Sequence, residues 1–344
     1  MKHRTFGYTK DGKQTELYTL KTGRFALSVS DYGSSLVNLA VLGPDMVSVD
    51  VVLGYDDVTG YEEDAGSYLG CNVGRNANRI GQACFSLNGV TYQLDKNDGE
   101  NNLHSGYEPY SKRIWKVEKL NDAFITFSLE SPHMDQGFPG NVKLYVTYEI
   151  LNEESFRIVY EAETDADTVI NLTNHSYFNL NGEGAGGIED HHLTMYADCF
   201  TPTGAGSIPT GEIRAVEGTP MDFRRGKRVG RDIGADYEQL TLAGGYDHNW
   251  VTRTDGMVHD IVKVRGDITG ITMEIATDYP GVQMYTGNYL DGLKGKKGHV
   301  YTKRTGICFE PQFYPDAVNR PEFISPVCKV GEKYRKEIIY KFFV

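Results

Sequence analysis

Strict alternation of apolar and polar positions recurs along the whole chain. In "NVKLYVTYEI" the residues Val142, Leu144, Val146, Tyr148 and Ile150 fall on one side and Asn141, Lys143, Thr147 and Glu149 on the other. That period of two predicts half-buried strands. Ile125, Phe127 and Leu129 repeat it, as do Ile271, Met273 and Ile275, and the carboxyl end does so with Tyr334, Ile338, Tyr340, Phe342 and Val344. Between Phe85, Leu87 and Val90, Tyr92, Leu94 lies Asn88-Gly89, a pair suited to the left-handed backbone of a two-residue hairpin. No long amphipathic helix is visible; a helical turn or two fits "GYDDVTGYEED" and "FRRGKRVGRDI". Without a repeat period or linker, the reading is all-β: one large antiparallel β-sandwich domain over residues 1–344.

Composition agrees and excludes several functions. The 23 tyrosines suit β-rich surfaces. A net charge of −12 argues against nucleic acid or an anionic membrane as partner, since both require a basic footprint. "MKHRTFGYTK" has no apolar stretch after its charges, so it does not read as a secretory signal, and no window is apolar enough for a membrane helix. Five scattered cysteines (Cys71, Cys84, Cys199, Cys308, Cys328) without a CxxC pair predict reduced thiols and a cytoplasmic location. The sequons at Asn171 and Asn174 are then chance matches.

Several suggestive motifs dissolve on inspection. "GEGAGG" (Gly182, Gly184, Gly187) has dinucleotide-loop spacing, but "IEDHHLTMYADCF" after it reads as strand where a helix is needed. "DKNDGENN" places Glu100 where a calcium loop needs glycine. His191 and His192 point to opposite faces of a strand, so they do not clamp one metal. No G-x-S-x-G supplies a nucleophilic serine.

What remains is polar chemistry in aromatic settings. "NLTNHSYFNL" (171–180) carries three asparagines, Thr173, His175 and Ser176 among residues apolar enough to be buried. Polar groups buried without partners cost a few kcal/mol each, so the fold or a hydroxyl-rich ligand must satisfy them. Arg79, His104, His175, Asp247, Gln283 and Glu310 sit in similar contexts. Amides and charges to pair with hydroxyls, and aromatic faces for the apolar side of a ring, suit a carbohydrate. Taken singly, each also reads as a core histidine, a buried ion pair or a turn aspartate.

At these residues the chain closely resembles the aldose 1-epimerases, or galactose mutarotases. The resemblance runs in order through "GRNANRI", "FSLNGVTYQL", "NNLHSG", "NLTNHSYFNL", "TPTGAGSIPTGEIRAVEGTPMDF", "GGYDHNWV", "GVQMYTGNYL" and "GICFEPQFYPDAVN". It implies a β-sandwich with an open cleft, no cofactor and no metal, acting as monomer or homodimer on a free aldose such as galactose or glucose. Carried over by motif, His175 is the general acid and Glu310 the general base; Asn78, Arg79, His104, Tyr177, Asp247 and Gln283 hold the sugar. Where the family usually has two glycines after the leucine-histidine pair, this chain has Ser105 first. A positive φ there would strain the loop carrying His104.

Three expectations follow. Asn171, Thr173 and Asn174 should fix the ring of His175. Proximity of a carboxylate and an imidazolium should lower the Glu310 pKa and raise that of His175. A non-catalytic sugar-binding protein has no reason to keep both His175 and Glu310, a hexose-6-phosphate epimerase would want added cations, and a hydrolase a second carboxylate.

Overall fold

A computed structural model describes residues 2–343. Three antiparallel sheets carry the architecture. The first has five strands in chain order: Lys2–Tyr8, Gln14–Lys21, Phe25–Ser30, Leu36–Leu42 and Ser48–Asp50. The largest has nine, and its C-terminal strand Tyr334–Phe343 lies inside the sheet between Ser155–Thr164 and Thr272–Thr277. The third has six strands in the order Tyr177–Phe178, Ile307–Gln312, Gly281–Tyr285, Asp247–Val251, Cys199–Thr201 and Arg214–Ala215. All-antiparallel pairing over this extent is the β-sandwich architecture that the alternation predicts.

The predicted strands occur with the predicted faces. Val142, Leu144, Val146 and Tyr148 are buried while the residues between them are partly exposed. Val344 lies outside the described residues. Asn88 and Gly89 both adopt positive φ (52° and 79°), and Leu87 pairs with Val90 across the turn. "GYDDVTGYEED" contains a helix, Val58–Glu63, capped by the Asp57 carboxylate accepting from Thr59 N–H. "FRRGKRVGRDI" holds a 3-10 turn, Val229–Arg231, whereas the short helix Glu238–Ala243 was not expected. "GEGAGG" forms turns and is followed by the strand His192–Met195, with His191 buried and His192 exposed.

One apolar cluster joins the sheets. Leu27 and Val29 come from the first sheet, Phe127, Val146, Ile158 and Tyr340 from the second, Val282, Met284, Ile307 and Phe309 from the third. Phe178 packs on Tyr340 at 5.7 Å between ring centroids, coupling the small sheet to the large one. The third sheet therefore turns one face to the core. Its other face is largely buried but polar, and the candidate site lies there.

Candidate functional site

Cross-strand register builds the site wall. Glu310 lies opposite Gln283, Gln283 opposite Asn249, and Asn249 opposite Thr201. Two residues along, Tyr177 faces Cys308, Cys308 faces Tyr285 and Tyr285 faces Asp247. Because successive residues of a strand alternate sides, both rows project from one face. The intervening residues Phe309, Met284, His248 and Trp250 go to the core. Of the pair Asp247-His248, the aspartate thus belongs to the site and the histidine packs edge-on against Phe200 and Trp250.

"NLTNHSYFNL" crosses the end of this wall. Asn171 donates to the carbonyls of Ala77 and Phe313 and accepts from Phe313 N–H; Thr173 donates to the Pro311 carbonyl; Asn174 donates to the Gly70 carbonyl and accepts from Ser176. The expectation that these three fix the ring of His175 is thus not met. They tie together the main chain of the segments bearing Arg79, Glu310 and Tyr68. Gly70 is needed at the junction: its φ is +69°, and a Cβ would run into the Leu36 carbonyl. Its N–H donates to the His175 carbonyl at 3.0 Å.

The ring of His175 is held by its neighbours' faces. It stacks on Tyr68 (5.8 Å) and on Tyr177 (5.1 Å), meets His104 edge-on (5.4 Å), and its Nδ1 lies 3.6 Å from Cys308 Sγ. Its Nε2 lies 3.7 Å from Glu310 Oε1, and both side chains are buried. Among the described residues Glu310 Oε2 has no hydrogen-bond partner.

His104 sits in a loop locked to Asn78. The His104 N–H donates to the Asn78 carbonyl, and the Asn78 N–H donates to His104 Nδ1, each at 3.1 Å. An Nδ1 that accepts leaves the proton of the neutral ring on Nε2, making that nitrogen a donor. The ligating atoms of His104, His175 and Glu310 lie within 4.8 Å of one another, a spacing a metal ion could span. The His104 tautomer opposes that use, because a protonated nitrogen has no lone pair to give a metal. Ser105 does adopt positive φ (72°), as feared from the sequence. Its hydroxyl accepts from Asn76 N–H (2.8 Å) and donates to the Asn76 carbonyl, bonds that offset the strain and that glycine cannot make.

Arg79, His104, His175, Asn78, Tyr177, Asp247 and Glu310 line one cavity of about 150 Å³. Gln283 stands behind it, donating to Asp247 Oδ1 at 2.7 Å. Arg79 is engaged by Asp98 at 2.7 Å and attracted by Asp247. At Arg79, Leu103 and Tyr289 the cavity adjoins a larger groove of about 1090 Å³. Five lining residues were missed from sequence: Gly66, Tyr68, Leu103, Tyr285 and Tyr289. Tyr285 carried a signal, two positions after Gln283 in the same strand, and Cys308 stands likewise two before Glu310. Tyr68, at positive φ (57°) in an irregular loop, carried none.

Burial dominates the ionisation of the pair. It pushes the His175 pKa down to about 4 and drives that of Glu310 well above the carboxylate range, where Asp247 adds to the rise and Arg79 opposes it. This is the reverse of the expected directions: loss of water outweighs mutual attraction. His104 is held neutral by burial, by His175 and by Arg79.

The chain is similar to known proteins over nearly its whole length. The family model described as aldose 1-epimerase matches residues 16–341. The chain is 38% identical to the galactose mutarotase of Bos taurus, over 96% of this chain and 94% of that protein. It is 32% identical to the aldose 1-epimerase of Escherichia coli K12 over 99% of each. Among solved structures, an aldose epimerase homologue from C. elegans superposes with a TM-score of 0.87 at 32% identity, covering 95% of this chain and 99% of that one. The galactose 1-epimerase of Lactobacillus acidophilus gives 0.85 at 26% identity, covering 99% and 98%. A match of this length and identity leaves one assignment: the chain is a member of the aldose 1-epimerase family.

Proposed function

We propose that the cavity opens and recloses the ring of a free aldose such as galactose or glucose, with Glu310 and His175 exchanging protons with the sugar. The protein is an aldose 1-epimerase, an isomerase that interconverts α and β anomers. The observation that carries the residue assignment is the facing of a buried carboxylate and a buried imidazole at 3.7 Å across a cavity wall. The two oxygens of a hemiacetal share one carbon, so groups this close can address both at once.

In ring opening the C1 hydroxyl gives its proton to Glu310 Oε1. The electrons of that O–H become the C1=O1 double bond, the C1–O5 bond breaks, and O5 takes the proton from His175 Nε2. Paired transfer avoids an isolated oxyanion or oxonium in a dry site. The open-chain aldehyde turns about C1–C2, and reclosure runs the same transfers backwards on the other face of the carbonyl. Asn78, Arg79, His104, Tyr177, Asp247 and Gln283 hold the remaining hydroxyls or orient the groups that do. His104 does so as a fixed Nε2–H donor, and Asp247, backed by Gln283, as an acceptor.

Burial of both catalytic groups fits this scheme. Glu310–H with neutral His175 is the state the enzyme occupies while the sugar is open. The ionic pair that starts the reaction contains the same number of protons. The competing readings fit less well. Arg79 is the one permanent cation among the cavity's lining residues and two carboxylates already claim it, which disfavours a phosphosugar. Five unpaired cysteines support a reducing, cytoplasmic location. Among the described residues no helix is long and apolar enough to cross a membrane.

The test is polarimetry of freshly dissolved α-anomers of glucose, galactose, xylose and arabinose, with Glu310→Gln as control. Acceleration of at least one anomer by wild type and its loss in the variant is expected. Equal rates in the two folded proteins would refute the assignment.

A further inference from the structure

His104 and His175 touch edge to edge, yet their surroundings treat their protons differently. For His104 the Asn78 N–H fixes Nδ1 as an acceptor. His175 meets another set of partners. Its Nδ1 lies 3.6 Å from Cys308 Sγ, and it is the only ring nitrogen within covalent reach of the residue's own main-chain carbonyl, a group that can only accept and that favours the protonated ring. A lone pair on Nδ1 would oppose the carbonyl oxygen, so the proton belongs there. Burial keeps Cys308 a thiol opposite Tyr177 of the neighbouring strand, which leaves a neutral, soft acceptor beside the ring.

We infer that Cys308 is a positioning residue which, together with the His175 carbonyl, holds the imidazole as the Nδ1–H tautomer, opposite to His104. This rests on the reading of His175 as the proton donor to the ring oxygen. The chemistry needs that tautomer. The imidazolium gives up its Nε2 proton and must then present a bare Nε2 to take the proton back on reclosure, while Nδ1–H stays in place throughout. An Nε2–H neutral ring would have no lone pair at the substrate. The division of labour follows: two adjacent histidines, one a permanent donor and one a shuttle. A carboxylate in place of Cys308 would fix the same tautomer but stabilise the imidazolium and blunt its acidity. A thiol orients the ring without adding charge.

The test joins spectroscopy to kinetics. Imidazole ¹⁵N spectra of the wild-type enzyme at neutral pH, with His175 and His104 signals assigned by their absence in His175→Asn and His104→Asn, should show Nδ1 protonated in His175 and Nε2 protonated in His104. In Cys308→Ala the His175 signals should move towards a mixture of tautomers while those of His104 stay put. Its kcat should fall by about 10-fold with KM nearly unchanged. That loss is far smaller than the ~10⁴ seen when a triad carboxylate is replaced, because the carbonyl remains as an acceptor. Cys308→Ser, which keeps an acceptor, should recover most of the loss. An Nε2–H pattern for His175 in the wild type overturns the inference, as does a Cys308→Ala enzyme with unchanged spectrum and kcat. Wild-type kcat in folded His175→Asn would instead overturn the catalytic role, and the tautomer pattern would still stand on its own.

Discussion

The two faces of the six-stranded sheet are buried to similar degrees and built from the same strands, yet they do opposite things. On one side Phe309, Val282, Met284, Trp250 and Phe200 fill the core. On the other, Glu310, Gln283, Asn249 and Thr201 form a polar row in which Glu310 Oε2, Gln283 Oε1 and Asn249 Oδ1 have no hydrogen-bond partner among the described residues. Unpaired buried polar atoms are costly, of order 1–3 kcal/mol each. The core face therefore supplies stability, and the site face draws on it to hold Glu310 at the cavity wall. Histidines on the two faces show the same split. His248 and His175 are both buried and held neutral, but His248 packs among aromatic rings while His175 faces a carboxylate and a cavity.

The sharpest way to break this comparison is to alter one face at a time. Glu310→Gln, or His175→Asn, should cut kcat by the ~10²–10⁴ typical of a general acid or base, about 3–5.5 kcal/mol of barrier, and leave the melting transition nearly in place. Phe309→Ala, one residue away on the opposite face, should do the reverse. Unfolding free energy should fall by about 3–5 kcal/mol, with the folded fraction retaining its kcat. Denaturant unfolding beside polarimetry on each variant decides it. Strong destabilisation by Glu310→Gln, or loss of kcat in folded Phe309→Ala, would mean the faces are not separable.

How much of this was legible beforehand follows from the same geometry. Period-two alternation specifies which strand residues share a face, so Val142 to Tyr148 and the hairpin at Asn88-Gly89 were readable. So was Tyr285, in retrospect, from Gln283. Alternation does not say which face a sheet turns to the core, because both faces here are buried. Asp247 and His248 were therefore separable only by the family resemblance. Tyr68 was beyond reach, since its place depends on a loop at positive φ anchored through Gly70 to the His175 carbonyl. The duty assigned to Asn171, Thr173 and Asn174 was misread for a related reason: spacing places them beside His175, but their partners are main-chain carbonyls and amides of distant segments.

A smaller effect probes the site face alone. Asp247→Ala removes an acceptor remote from the bond being broken and strands the Gln283 amide that donates to it. The loss should appear mainly in KM, by roughly 10- to 100-fold for a bond to a charged group, with kcat changed little. Progress curves at several galactose concentrations measure both. A collapse of kcat at constant KM would move Asp247 into the proton-transfer chemistry.

The subtlest difference between the faces is in their response to pH. With His175 pushed down to about 4 and Glu310 raised well above its ordinary value, the free pair between those two values carries one proton, resting on the carboxyl. The ionic pair that opens the sugar carries one proton too, moved across. pH therefore does not distinguish the two arrangements; it reports gain or loss of that proton by the pair as a whole. Below about pH 4 the imidazole accepts a second proton and no base remains, giving the acid limb of kcat/KM. Above the raised Glu310 value the pair loses its only proton and no acid remains, giving the alkaline limb. The limbs are thus exchanged relative to the assignment that mutual attraction alone would give, and the plateau spans the range between them. His248, pushed down to about 3 on the core face, should leave no mark on the profile. A mutarotation profile from about pH 3.5 to 10 should be paired with infrared detection of a protonated carboxyl that disappears in Glu310→Gln. At a pH on the plateau that carboxyl signal should be present and the His175 ring neutral by ¹⁵N shift. An imidazolium at His175 with an ionised Glu310 at that pH would show that attraction outweighs burial, and would return the alkaline limb to the histidine.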